Sequence, residues 1–99
     1  MILIRIADAD AASMDGQFLA EYDPARPGLS PDGEELIAHI AVAREPWRAL
    51  RFANAYEAFH CYGRSHGMRA DGEPNRPLTA FSIELVGLEC QRRWKAAKT

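Results

Sequence analysis

The stretch that most restricts this 99-residue chain is Leu78-Thr-Ala-Phe-Ser-Ile-Glu-Leu-Val86, which alternates in character almost residue by residue. Side chains of a β-strand point to opposite faces in turn, so a period-two run has one buried face and one solvated face. Thr79, Phe81, Ile83 and Leu85 are the larger and more apolar set and are assigned inward. Such a strand needs paired neighbours and a cover, because small isolated sheets are marginal in water. Three other segments qualify as partners. Residues 2–7 place Ile2, Ile4 and Ile6 on one face and Leu3 and Arg5 on the other. Residues 17–22 place Phe18, Ala20 and Tyr22 together. Residues 37–43 suit either a helix or a strand; Pro46 close behind, and the need for a third strand, favour the strand.

The connecting segments are legible from their turn residues. Residues 8–16 are small and acidic and end on Asp15-Gly16. Residues 23–35 hold Pro24, Pro27 and Pro31 with Gly28 and Gly33, and read as a surface loop with a turn at Asp32-Gly33. Residues 45–50 read as a short helical turn with Pro46 at its first position, its Trp47 packing helix onto sheet. Asn54 followed by Glu57 fits a capping box that opens a helix over residues 55–66. Ala55, Phe59 and Tyr62 would form its buried stripe and Gly67 its C′ residue; a single helix over 46–66 is the alternative. Residues 67–77 are a second loop. The expected fold is α+β: an antiparallel sheet of about four strands in the order β-β-β-α-β, with one main helix packed on one face. Residues 1–88 make a single domain and 89–99 a basic tail, frayed helix or disordered.

Charge and composition exclude several functions. Residues 1–44 hold eight acids against three arginines, and residues 45–99 nine bases against six acids. The molecule can thus have an acidic and a basic side, but its isoelectric point near 5.9 is unlike that of a typical DNA-binding domain. Cys61 and Cys90 are too few for a disulfide framework, and free thiols in a cytoplasmic protein are the default. The opening apolar run is broken at Arg5 and Asp8, too early for a leader. No stretch reaches the roughly eighteen apolar residues of a membrane span. His39, His60, Cys61, His66 and Cys90 lack the paired spacing of zinc ligands. Cys61 falls in the second half of the helix, where the dipole disfavours a thiolate, and Glu34-Glu35 read as loop-end solvation. No phosphate-binding loop or nucleophile elbow is present. The chain is therefore read as non-catalytic, with no metal and no cofactor; a small cysteine- or metal-dependent enzyme is the least favoured alternative.

What remains is binding. Tyr56 and Trp94 are of the types enriched at protein interfaces and are the better surface candidates. In Asp71-Gly-Glu-Pro-Asn-Arg-Pro77, two prolines stiffen a loop that presents Arg76, and Asn75 tolerates a turn conformation. Arg64, Arg69, Asn75 and Arg76, with the exposed side of the helix, form the expected contact surface for a protein partner. A nucleic-acid partner using the basic C-terminal half, with Trp94 for stacking, is the alternative.

Residues 71–85, Asp-Gly-Glu-Pro-Asn-Arg-Pro-Leu-Thr-Ala-Phe-Ser-Ile-Glu-Leu, resemble the closing segment of a family of small uncharacterised proteins encoded by bacteriophages and prophages. Gln17-Phe18-Leu19 with Tyr22-Asp23-Pro24, and Ala49-Leu50-Arg51-Phe52 followed by Glu57-Ala58, fit the same pattern, so the resemblance covers most of residues 17–86. It departs after Val86. It implies a phage accessory role, including interference with a host defence system, and brings no activity or catalytic residues with it.

Overall fold

Six short strands, one α-helix and two 3-10 turns are found in residues 1–87, the part of the chain that the computed structural model describes. The strands are β1 (Ile2–Ile6), β2 (Phe18–Asp23), β3 (Gly28–Leu29), β4 (Glu35–Leu36), β5 (His39–Ala43) and β6 (Ile83–Gly87); the helix is α1 (Ala55–Tyr62). Four strands form one antiparallel sheet in the order β5-β2-β1-β6. The chain is thus an α+β fold with the expected β-β-β-α-β sequence of main elements. The first segment lies at the sheet's centre, with the last strand beside it. Arg5 stands directly opposite Glu84 in that pairing, and the two side chains form an ion pair across the strands.

The strand alternation sorts side chains to both faces. Ile4 and Ile6 point into the main core with Leu19, Tyr22, Ile40 and Leu78, where α1 contributes Ala58 and Cys61. Leu3 points the other way, into a smaller cluster with Phe18, Ala49 and the partly buried Val86. Leu3, Ile4, Ile6, Leu19 and Leu78 are fully buried, each stabilising the fold by about 1.5–3 kcal/mol over an exposed position. Phe81, Ile83 and Leu85 pack half-buried on the main core, on the face assigned to them.

Several local features differ from the expectation. In β2 the register shifts between Leu19 and Glu21, because Ala20 is an extra residue with no opposite number in β5. A bulge reverses the alternation beyond it. Phe18 therefore lies on the far face from Tyr22, and Leu19 takes its place in the main core. Residues 23–35 are not an unstructured loop: β3 and β4 pair as a small hairpin closed by Gly33 at φ +89°. The buried Ser30 organises its turn, its backbone N–H donating to the Glu34 carbonyl at 2.8 Å and its hydroxyl oxygen accepting from the Glu34 N–H at 3.0 Å.

The helix is shorter and rolled about its axis. Ala58 and Cys61 face the core, whereas Ala55 and Phe59 are exposed. The small Ala58 lets α1 sit close against β1, and Leu78 is fully buried in the same core. Only half of the capping box forms: the Asn54 side chain accepts from the Glu57 N–H at 2.9 Å. The helix stops at Gly63, and Gly67 instead serves a turn at φ +69°. Residues 66–75 fold back on themselves, the His66 N–H donating to the Asn75 carbonyl and the Asn75 N–H to the Gly67 carbonyl, each at 3.0 Å. The last strand also begins late. A 3-10 turn, Pro77–Ala80, buries Leu78 and turns Thr79 out to solvent, so Thr79 is not inward. Pro46–Arg48 is the expected short turn with proline first, but its Trp47 is 60% exposed rather than packed between helix and sheet. The basic tail, with Cys90 and Trp94, lies outside the described residues. Among the described residues no helix is long and apolar enough to cross a membrane.

Candidate functional site

Residues 50–52 run between the sheet and the start of α1. They are stitched in place by backbone bonds: the Leu50 N–H donates to the Leu19 carbonyl at 2.9 Å, the Phe52 N–H to the Ile2 carbonyl at 2.9 Å, and the Ile2 N–H to the Phe52 carbonyl at 2.7 Å. Because α1 begins only after this segment, a groove of about 740 Å³ opens between residues 50–52, the Glu21-Tyr22 end of β2 and one side of the helix. Leu50, Phe52, Tyr22 and Tyr56 supply its apolar lining, and Glu21, Glu57, His60 and Arg64 its polar edge. Tyr56 is 78% exposed, and Phe59, three residues along the same helix, is 55% exposed. Residues three apart on a helix are surface neighbours, so the two rings adjoin on the exposed surface of α1, Tyr56 lining the groove and Phe59 lying outside its lining.

One wall is held by a latch centred on Tyr22. Its hydroxyl donates to the Arg64 carbonyl at 3.0 Å and accepts from the Leu78 N–H at 3.4 Å. Arg64 reciprocates: its guanidinium donates to the Tyr22 carbonyl at 3.3 Å and lies 5.7 Å from the centre of the Tyr22 ring. Burial raises the Tyr22 phenol above its usual value, against the opposing pull of the Leu78 hydrogen bond and the Arg64 charge. A second latch lies behind it, where the Tyr62 hydroxyl donates to the Phe81 carbonyl at 2.7 Å; burial likewise raises that phenol. Together these bonds tie the end of the helix and the 3-10 turn to the sheet.

No family model, curated protein or solved structure matches this chain.

The expected contact residues separate into three groups. Arg64 and Tyr56 meet at the groove. Arg76 lies at the helix end, its Nε donating to the Gly63 carbonyl at 3.1 Å. There it meets one of the unpaired carbonyls that every helix C-terminus presents. Asn75 closes the folded-back segment through its backbone, and Arg69 sits near the far tip of that segment, its guanidinium on Asp71 at 2.9 Å. Trp94 lies outside the described residues. Three arginines expected on one protein-contact surface are thus each committed locally, two to backbone carbonyls and one to a carboxylate.

Glu21, Phe52 and His60 were not singled out for the surface, and Glu57 was read only as a helix cap. Glu57 contributes its backbone N–H to the cap, while its side chain lines the groove. A half-formed capping box has no sequence signature, and Phe52 becomes a wall only because it pairs with Ile2 of β1 while Leu50 bonds to Leu19 of β2. Cys61 is buried in the core, and burial pushes its thiol above the usual value, with Arg64 pulling the other way. A thiol in that state is a poor nucleophile. Among the described residues no group of three His, Cys, Asp or Glu side chains is placed to hold a metal ion.

Proposed function

We propose that this protein is a non-catalytic binding module that docks a protein partner on the α1 face and the groove beside it. The observation that carries this reading is the open groove lined by Tyr22, Phe52 and the strongly exposed Tyr56, with the exposed Phe59 next to Tyr56 on the same helix. Large aromatic side chains flanking a recess are the usual anchors of protein recognition, where a few well-packed residues supply most of the binding energy. The local commitment of Arg64, Arg69 and Arg76 favours a protein over a nucleic acid, since phosphate binding draws on cations free to exchange their counterions. The resemblance of residues 71–85 extends the reading to a phage or prophage accessory protein acting on a host protein, in the cytoplasm.

Site-specific photocrosslinking tests it. A benzophenone amino acid in place of Tyr56, in cells of the encoding organism, is expected to give a discrete adduct that a Phe59→Ala change abolishes. The same probe in place of the exposed Thr79 is expected to give none. Equal labelling from positions 56 and 79 refutes docking on this face.

A further inference from the structure

The groove beside α1 has a charge pattern that selects its occupant. Glu21 approaches it from β2 and Glu57 from α1, so carboxylates stand on two different elements around a lining of Tyr22, Phe52 and Tyr56. The Glu57 carboxylate makes no hydrogen bond or ion pair with another described residue. Glu21 meets only the imidazole of His39, at 3.7 Å, and remains largely exposed. Among the described residues of the lining, the one arginine, Arg64, is spent on the Tyr22 carbonyl and ring. Among the described residues, Glu57 thus has no cationic partner and Glu21 only the imidazole of His39, beside aromatic faces whose quadrupoles also attract positive charge.

We infer that the groove captures a cationic side chain, an arginine, presented by the protein partner. The inference rests on the docking function proposed above and names the chemistry it reads. Arg64 shows the local precedent, a guanidinium held over an aromatic ring at the same site. A guanidinium entering from solvent stacks on Tyr56 or Phe52 while its fork of N–H donors reaches Glu57 or Glu21. An anionic segment meets like charge from two sides, and an aliphatic one leaves both carboxylates partly desolvated without a partner.

Chemical-shift titration of the ¹⁵N-labelled protein with acetyl-glycyl-arginyl-glycinamide, and with the same peptide carrying citrulline, tests this. Citrulline keeps the planar head and loses the charge. The arginine peptide is expected to shift amides of residues 21–22 and 50–60 saturably, with affinity about three- to tenfold above the citrulline peptide, the range set by one cation–aromatic contact and its ion pairs. Glu57→Gln and Glu21→Gln each lower that affinity about two- to fivefold and leave the urea midpoint unchanged, since both carboxylates are exposed. Equal affinity for the two peptides, or indifference to both substitutions, overturns the inference. If adducts from position 56 persist in that case, the docking face stands and only its cationic selectivity falls. If those adducts match position 79, the docking function itself fails, whatever the titration shows.

Discussion

Replacing Tyr22 by Phe removes one oxygen atom and leaves the ring, its packing and its contact with Arg64 in place. The lost oxygen serves two partners, the Arg64 carbonyl at 3.0 Å and the Leu78 N–H at 3.4 Å. The first bond is partly buried and of ordinary length, a net contribution of about 1 kcal/mol. The second is long and individually weak, but Leu78 is fully buried, so its N–H is left without water or partner. An orphaned buried donor costs about 1–3 kcal/mol, and the stretched geometry places this one at the low end. The two effects together predict a loss of about 2 kcal/mol. In a domain of this size that lowers the melting temperature by about 8–16 °C. Urea denaturation reads it directly, with the midpoint falling and the slope unchanged. Tyr62→Phe serves as the internal ruler, since it deletes only the bond to the Phe81 carbonyl and is expected to cost about 1 kcal/mol. Amide exchange at Leu78 accelerates in Tyr22→Phe beyond what the global loss explains, because the local opening there is eased. A Tyr22→Phe protein within about 0.5 kcal/mol of the parent, or one less affected than Tyr62→Phe, refutes the latch.

Three further outcomes follow from the same geometry. A Cβ at Gly28 would stand 2.7 Å from the Ala38 carbonyl oxygen and 2.8 Å from the His39 Cα, both backbone atoms. Gly28→Ala therefore pushes β3 away from the start of β5, with a loss of about 1–3 kcal/mol in urea unfolding and faster exchange in the hairpin. Arg76→Ala removes a cationic donor from the helix C-terminus and is expected to lower stability by about 0.5–1 kcal/mol, whereas Arg69→Ala, which breaks only an exposed pair with Asp71, stays within about 0.5 kcal/mol. Equal effects would remove the distinction between an anchored and a surface arginine. Tyr22, Tyr62 and Cys61 all have raised folded-state values through burial, so their protonated forms favour the fold. That contribution is complete below the ordinary thiol and phenol values, about 8.5 and 10, and is lost as pH climbs through the higher folded values. Urea midpoints are expected to fall above about pH 9, less steeply in Tyr22→Phe; a flat profile to about pH 11 contradicts the burial of these groups.

The candidate site was only partly legible in the residue string. Tyr56 was identifiable as an interface type, and Arg64 as a nearby cation, but their meeting point depends on where α1 lands. Phe59 was assigned to the core by helical spacing alone. That spacing gives a stripe's period but leaves its phase open wherever several apolar residues compete. Ala58 and Cys61 win because small side chains let the helix approach β1, where they share the core with Leu78, which arrives from a distant part of the chain. Rolling the helix in this way carries Phe59 out beside Tyr56 and turns an expected core residue into half of the exposed pair.

Local chemistry alone determined the strand at β1, the turn at Asp32-Gly33, the proline-led turn at Pro46 and the Asn54 cap, because each depends on backbone preferences or side-chain alternation within a few residues. The α+β class followed from the same patterns. Long-range packing decided the rest: the Ala20 bulge that exchanges Phe18 for Leu19, and the groove walled by residues 50–52. These depend on which surfaces meet, and a partner thirty or fifty residues away leaves no mark on the segment it will cover.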